Sequence, residues 1–475
     1  MATTTTAERL PIDPYTAPVV DAESHGTESH SENITLLRNM KLGLFHVGSS
    51  LADILTTGVW NRIAIAELGL SATPVAILVS LKYFITPLSI WAGQRSDVTQ
   101  WRGYRRLPFI WGGRLLMVLS FFLLGMATVN LASDKSSLFG WLGITAAFLI
   151  FSVGGALSGT TFLSLVHDIT PQSQRTRVIS VIWFFLIVGF AGAGILYSQL
   201  LPHYSEESFK ALFIIAPLIM GAIWVFALIG EEKPNAAAVA TKIEQAKARS
   251  FVEDLRTAWG NTQTRLFFLY LGLSTLFFYT QDVILEPFGA QVFGMEARTT
   301  NRFSSYWGSM ALLGIIVCLL AGRRWKNLLN NMSLSKWSLW VLVIGFGIFL
   351  ASALFLIRPL VTIGLVVMGF GLGMWTVGGL GLMMDMTRTL GAGLYLSLWT
   401  VSETIARGLG TVLGGVVKDA TFAFTHQLNV AYGTVFLVQI VGFIISYLVI
   451  TRVNVDLFHQ SAAPEPQVVM SAGMD

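Results

Sequence analysis

Ionisable residues inside apolar stretches are the part of this sequence whose chemistry is most informative. Six of them stand in otherwise hydrophobic surroundings: Asp53, Lys82, Asp282, Glu286, Glu403 and Arg407. A charge in hydrocarbon is costly unless it faces a cavity or a partner. Two interpretations fit: internal ion pairs that fix helix packing, or a polar lining that binds a head group or relays protons. Glu403 and Arg407 stand at i and i+4, so they can neutralise each other on one helical face.

Two histidines, His46 and His167, also stand at membrane depth. A neutral imidazole at His46, one turn inside the first apolar stretch, could ligate a metal or tetrapyrrole centre. The alternative for His46 is a packing role in which the ring is satisfied by its surroundings. We expect His167 to form a hydrogen bond with the loop that follows the fourth apolar stretch.

The sequence gives little support to an enzyme. Glycines cluster between residues 369 and 381, but no strand precedes them and no Gly-Lys-Ser/Thr follows. Close helix packing therefore explains them better than a nucleotide loop. We also find no nucleophile triad, metal cluster or phosphate loop. We expect no catalytic residue, no bound structural metal, no covalent cofactor and no nucleic acid partner.

The composition places these residues in a membrane. Of 475 residues, 53% are hydrophobic and 12% are charged, whereas roughly a quarter of an ordinary soluble domain is charged. Apolar runs of about twenty residues, long enough to cross the bilayer, recur from Leu42 to Ile450. Because lipid cannot satisfy backbone polar groups, these runs are predicted to be helices. The single cysteine, Cys318, excludes an internal disulfide.

The expected fold class is an all-α membrane protein with twelve spans. We place the spans at 41–61, 73–92, 108–130, 139–163, 178–200, 211–229, 265–286, 304–321, 338–357, 360–383, 393–416 and 430–451. The corresponding domains are a disordered tail (1–38), a six-helix half (39–230), a linker with an amphipathic helix (231–264), a second six-helix half (265–452) and a second tail (453–475). The amphipathic prediction depends on Phe251, Leu255 and Ala258/Trp259, which share one helical face.

Basic residues are distributed unevenly between the two sides of this topology. Arg105, Arg106, Arg323 and Arg324 are among many that fall on the side of the N-terminus, and few fall on the other. The positive-inside rule therefore predicts that both termini are cytoplasmic.

The two predicted halves share short sequence patterns. The segment 165–170 (LVHDIT) ends span four as 382–387 (LMMDMT) ends span ten. Gly154 corresponds to Gly371 in the same register, and Trp183 of the next span corresponds to Trp399. Such a duplication of six-helix units is typical of secondary transporters, whose functional cavity lies between the halves near mid-membrane.

The loop after span two contains a candidate conformational latch. Its residues are Gly93, Asp97, Gly103, Arg105 and Arg106. This glycine, acid, glycine and basic pair resembles the loop between helices two and three of the major facilitator superfamily. We expect Gly93 to allow close helix approach, and Asp97 to pair across the inner face or cap a helix, so that the halves are held in one state. An incidental aspartate beside a basic membrane anchor is the alternative.

Longer motifs resemble the PucC/LhaA group, also called the bacteriochlorophyll delivery family, within that superfamily. The segment 41–46 (KLGLFH) with 58–68 (GVWNRIAIAEL) is similar to the family's first-helix signature. The segment 105–112 (RRLPFIWG) resembles its continuation into helix three. The segment 281–289 (QDVILEPFG) with 292–295 (VFGM) resembles its helix-seven signature. The similarity extends over nearly the whole membrane portion.

This resemblance implies a multi-pass protein of a photosynthetic prokaryote's inner or thylakoid membrane. The family assists assembly of light-harvesting or photosystem complexes and handles chlorophyll or bacteriochlorophyll. Its partners would be antenna or photosystem subunits, the tetrapyrrole pigment and the lipid bilayer. His46 is then a candidate axial ligand of the pigment magnesium, and Asn61 and Arg62 with Asp282 and Glu286 form a polar cluster at the outer mouth. The alternative function is a proton-coupled transporter of a small organic solute or pigment precursor.

Overall fold

The computed structural model describes residues 34–232, 260–324, 330–386 and 392–455, together with residue 457. We number the spans in chain order, and span seven has two parts. Their bounds are α1 Leu36–Glu67, α2 Ala72–Val98, α3 Leu107–Ser133, α4 Leu138–Ile169, α5 Arg175–Leu200, α6 Glu206–Leu228, α7a Thr262–Tyr279, α7b Leu285–Phe293, α8 Phe303–Arg324, α9 Asn331–Phe355, α10 Pro359–Met386, α11 Ala392–Thr425 and α12 Leu428–Ile450.

Within the described residues, ten helices are long and apolar enough to cross a membrane by themselves. The other two spans of the twelve are α7, which is broken between Tyr279 and Leu285, and α11, which carries four charged residues from Glu403 to Asp419. Both pack against helices that are long and apolar enough to span the membrane: α11 lies against α2, and α7a lies against α12. The all-helical membrane fold is therefore as expected from the apolar runs.

The first helix is longer than its predicted span of 41–61 and starts inside the range 1–38 assigned to the tail. The Thr35 hydroxyl accepts a hydrogen bond from the Arg38 backbone N–H, which caps the helix and starts it at Leu36. At the other end, two π-helical turns continue α1 to Glu67. The proposed amphipathic helix around Phe251 and most of both tails lie outside the described residues.

The halves are related by a pseudo-symmetric pair of contacts. In one contact α5 packs against α8, where the Ser305 hydroxyl donates a 2.7 Å hydrogen bond to the Ala191 carbonyl oxygen. In the other contact, α11 packs against α2. A Cβ atom at Gly415 would lie only 2.8 Å from the Ala72 carbonyl oxygen, so glycine allows the two helices to approach this closely. Each half thus supplies one helix to the other in the same way.

Hydrogen bonds join the halves at the membrane face opposite to the chain ends. We name this the opposite side, and the side on which α1 begins and α12 ends the terminal side. The Arg62 Nη2 donates to the Met295 carbonyl oxygen at 3.1 Å, and the Gln291 Nε2 donates to the Ile65 carbonyl oxygen at 2.9 Å. Asp419 of α11 contributes as well. Together these contacts form a seal on the opposite side.

Candidate functional site

A polar cluster lies where α1, α2, α7 and α11 meet. Lys82 of α2 forms an ion pair with Asp53 of α1. Asp282, in the break of α7, interacts electrostatically with Lys82 and with Arg407 of α11. The side chains of Asp53 and Arg407 are 38% and 33% exposed, so this cluster borders open space and is not sealed in the core. The cluster therefore joins both halves of the molecule through charge.

The break in α7 positions Asp282. The Asp282 backbone N–H donates to the Tyr279 carbonyl oxygen at 3.0 Å in a turn that ends α7a. Pro287 stands in the first turn of α7b, where its missing N–H costs nothing. Asp282 Oδ2 is buried and has no hydrogen-bond partner in the described part of the chain. A carboxylate oxygen with an unused acceptor site is suited to bind a cation, a proton or a donor group.

On α11, Arg407 and Glu403 neutralise each other as their i, i+4 spacing allows. The Arg407 Nη2 lies 2.7 Å from Glu403 Oε1, and the Trp399 Nε1 donates to Glu403 Oε2 at 2.9 Å. The guanidinium carbon of Arg407 is 4.3 Å from the ring centroid of Tyr279 in α7a. Such a cation–π contact ties α11 to α7a beside the cluster.

Of the polar cluster expected from Asn61, Arg62, Asp282 and Glu286, three residues interact in the structure and Arg62 leaves it. Glu286 is 5% exposed and interacts with the Asn61 side chain. Arg62 instead points toward the seal, where its Nη1 lies 2.6 Å from Glu67 Oε1. Asp282 interacts electrostatically with Glu286 as well as with Lys82 and Arg407. The break of α7 thus keeps both carboxylates near the cluster, and the π-helical end of α1 turns the Arg62 side chain toward the seal.

His46 lies in an aromatic pocket of the N-terminal half. Its ring centroid is 5.4 Å from that of Phe162 and 6.1 Å from that of Trp183. His46 Nδ1 is buried without a hydrogen-bond partner among the described residues, so the satisfied packing role considered above does not hold for this nitrogen. Asp53 follows two turns later on the same face of α1, about 10 Å away. His167, by contrast, has a side chain that is 58% exposed, and its Nδ1 is 3.9 Å from Asp168.

Arg114 is a residue of this pocket that the sequence reasoning missed. It stands seven residues inside α3 and is 6% exposed. Its guanidinium carbon lies 4.1 Å from the Phe45 ring centroid and 4.5 Å from that of Trp224. The criterion applied to the other charges, an ionisable residue within an apolar run, was sufficient to find it.

The latch residues assemble within the N-terminal half and not across the halves as expected. Arg106 lies 2.5 Å from Asp97 and 3.2 Å from Asp168, and Arg105 lies 3.4 Å from Asp168. Glu232, just after α6, caps α3 by accepting hydrogen bonds from the backbone N–H groups of residues 105–107. Glu232 thus performs the capping role considered for Asp97.

The structure explains why two positions of the latch are glycines. Gly103 has φ +85°, a left-handed conformation that favours glycine in the turn before α3. At Gly93 a Cβ would lie 3.2 Å from the Thr160 Cγ2 of α4, so its absence allows α2 and α4 to approach closely. The latch therefore fixes α2, α3 and α4 together on the terminal side.

A family model described as PUCC protein matches residues 59–458. The chain belongs to the PucC family. Protein PucC of Rhodovulum sulfidophilum is 29% identical over 403 residues, which cover 83% of this chain and 87% of that protein. A Rhodobacter capsulatus protein named bacteriochlorophyll synthase 44.5 kDa chain is 28% identical over 434 residues, covering 88% of this chain and 95% of that protein. The family resemblance noted in the helix-one and helix-seven motifs is thereby confirmed.

Solved structures confirm the fold of this PucC-family chain as that of major facilitator-like transporters. A bacterial homologue of the human lysosomal transporter Spinster, inward-facing and unoccupied, matches with a TM-score of 0.67 and 13% identity, covering 90% of this chain and 98% of that one. An inward-facing bacterial homologue of the iron transporter ferroportin matches with a TM-score of 0.65 and 16% identity, covering 87% and 100%. The chain is a multi-pass membrane protein.

Chemically, the two regions offer groups that can bind a ligand. Within the described residues no group of three or more histidine, cysteine, aspartate or glutamate side chains could hold a metal ion. The N-terminal pocket offers one free imidazole nitrogen, one guanidinium and several aromatic rings. The inter-half cluster offers paired charges and the free Asp282 oxygen.

Proposed function

We propose that this chain is a non-enzymatic membrane assembly factor that binds chlorophyll or bacteriochlorophyll and delivers it to nascent light-harvesting or photosystem subunits. The single observation that carries the proposal is His46, a half-buried imidazole that lies among aromatic rings and whose buried Nδ1 has no hydrogen-bond partner among the described residues. Membership of the PucC family and the relative named after bacteriochlorophyll synthase support a pigment as the cargo. The synthase name of that relative is also the main support for the opposing view that this chain is an enzyme of pigment synthesis.

The residues around His46 suit a flat, apolar tetrapyrrole. His46 would hold the magnesium of a chlorophyll-type ring through the lone pair of its neutral imidazole. Phe162 and Trp183 flank the imidazole, and Trp183, which is half exposed, offers apolar surface to a macrocycle. In this proposal Asn61 and the carboxylates of the inter-half cluster meet a client helix. Both termini then face the cytoplasm, as the basic residues on the terminal side indicate.

The test is purification from a photosynthetic host in mild detergent, followed by absorption spectroscopy and identification of co-purifying polypeptides. We expect bound pigment in the unmodified protein and at least tenfold less in His46→Leu. His167→Leu is the matched control, because its exposed ring lies on the terminal end of α4, and it should retain the pigment. Reproducible absence of pigment and antenna polypeptides from the unmodified protein would refute the assembly role.

A second candidate is a proton-coupled transporter of a small organic solute or pigment precursor. The observation that favours it is Glu286, 5% exposed and without a cation at ion-pair distance in the described residues. Reconstituted vesicles should then show pH-driven uptake that is lost in Glu286→Gln, Asp53→Asn and Glu403→Gln. Absence of flux for every tested solute, with growth unaffected by these substitutions, would exclude transport and leave the pigment proposal standing.

A further inference from the structure

Arg114 carries a positive charge for which the described structure provides no counterion. Its only hydrogen bond within that structure runs from Nη1 to the Met117 sulfur at 3.2 Å, a weak acceptor. Its Nε is buried without a partner. None of the described carboxylates lies within ion-pair distance. A guanidinium offers five donors, and burying one with so few acceptors costs several kcal/mol unless an anion completes the site.

Buried aromatic rings surround Arg114 and connect it to His46. Phe45 and Trp224 cover the guanidinium. Phe45 in turn stacks on Phe162 with 3.7 Å between centroids, and Phe162 flanks His46. Arg114 and His46 are near enough to interact electrostatically. The unpaired cation and the unpartnered imidazole therefore belong to one aromatic pocket on the terminal side of the N-terminal half.

We propose that Arg114 is an anion subsite that binds a carboxylate carried by an apolar, aromatic ligand. The inference rests on the proposed pigment function and narrows it. A magnesium tetrapyrrole whose propionate is still a free acid presents a metal centre to His46 and a carboxylate to Arg114. The same pigment esterified with a long-chain alcohol has no charge at that position. The pocket accordingly selects the unesterified pigment over the ester.

The experiment measures binding to the full-length protein in nanodiscs of zwitterionic phosphatidylcholine. Chlorophyllide as free acid and its methyl ester are titrated separately by fluorescence quenching. The free acid should bind at least tenfold more tightly than the ester, a ratio equivalent to about 1.4 kcal/mol. In Arg114→Met the affinity for the acid should fall to that of the ester, while the affinity for the ester stays unchanged. Methionine keeps apolar contact with the two rings, so the fold is preserved.

The matched control is Arg265→Met, because Arg265 is an exposed arginine at the terminal end of α7a, and it should keep the preference for the acid. Equal affinity of the unmodified protein for acid and ester overturns the subsite but leaves pigment binding intact. An equal loss of both ligands in Arg114→Met assigns the residue to packing and also overturns it.

Two further measurements complete the experiment. The first distinguishes a ligand carboxylate from a lipid phosphate, and the second tests the anion subsite independently of the proposed pigment function. Adding phosphatidylglycerol to the discs should leave chlorophyllide affinity unchanged; competition that vanishes in Arg114→Met would assign the site to a lipid phosphate instead. If neither pigment binds, the proposed function fails, and 1-pyrenebutyrate, a flat aromatic carboxylate, is compared with its methyl ester. An Arg114-dependent preference for the acid supports the anion subsite on its own, and no preference overturns it.

Discussion

Asp419 is expected to control how often the seal on the opposite side opens. Its carboxylate crosses from α11 to the first turn of α2, where it accepts hydrogen bonds from the backbone N–H groups of Ala72 at 3.1 Å and Thr73 at 2.7 Å. It also accepts one from the Thr73 hydroxyl at 2.8 Å. This is an N-cap supplied by the other half, so separating the halves on this side breaks it.

The free energy that the closed seal loses in Asp419→Ala can be worked out from these contacts. Removing a helix N-cap costs about 1 kcal/mol, and hydrogen bonds to a charged group contribute roughly 1.5–3 kcal/mol. The Asp419 side chain is 22% exposed, so water replaces part of that contribution, and we take about 2 kcal/mol for Asp419→Ala. If the contacts exist only when the seal is closed, the ratio of open to closed molecules rises about 30-fold.

The assay is cysteine accessibility in nanodiscs. Cys318 is the single cysteine, so Cys318→Ala provides a cysteine-free background into which Thr411→Cys is introduced. Thr411 is fully buried on α11, and a maleimide reaches it only when the bundle opens. Asp419→Ala should raise the initial labelling rate about 30-fold, and Asp419→Asn, which keeps one acceptor oxygen, should raise it less. Asp134→Ala, on an exposed loop of the same side, is the control. A rate within twofold of the parent would refute the reasoning.

Two further substitutions test packing and charge on the terminal side. Gly113→Ala should lower the free energy of unfolding by about 1–3 kcal/mol, because its Cβ would lie 2.5 Å from the Gly154 carbonyl oxygen; Gly112→Ala, with no atom within 4 Å, should not. Arg106→Gln removes the cation shared by Asp97 and Asp168 from a 4% exposed position and should cost about 2 kcal/mol, because Asp97 is 41% exposed to water and Arg105 still pairs with Asp168, whereas Arg105→Gln should cost under about 1 kcal/mol. Thermal unfolding in detergent measures all four, and equal losses within either pair would contradict the explanation.

The sequence sufficed for the number, order and approximate position of the spans, because hydropathy is a local property that each apolar run carries by itself. It also sufficed for the Glu403 and Arg407 pair, since spacing of i and i+4 determines proximity on a helix. It did not reveal the break of α7, which shows only as a polar Gln-Asp inside an apolar run. Nor did it show where α1 ends, because two π-helical turns continue it to Glu67.

The choice of partners was harder to predict than the positions of the charges. Asp97 has several basic residues within reach along the chain, and the sequence does not say that Arg106 folds back onto it while Glu232 caps α3. Arg62 was assigned to the pigment-facing cluster, yet its guanidinium completes the seal. Each outcome depends on contacts between residues far apart in sequence, and a single sequence without aligned relatives carries no direct record of them.

The two candidate functions use different parts of the molecule, which makes them separable. A solute transporter that alternates between two faces needs a substrate site shared by both halves, and the cluster of Lys82, Asp282 and Arg407 meets that condition. The pocket of His46 and Arg114 does not, because α1 and α3 to α6 build it within one half. A cargo can therefore occupy the pocket whether or not the halves move. Substituting Asp282 should abolish transport without reducing pigment binding, and substituting His46 should do the reverse. On this scaffold, pigment binding does not require the rocking motion that transport requires.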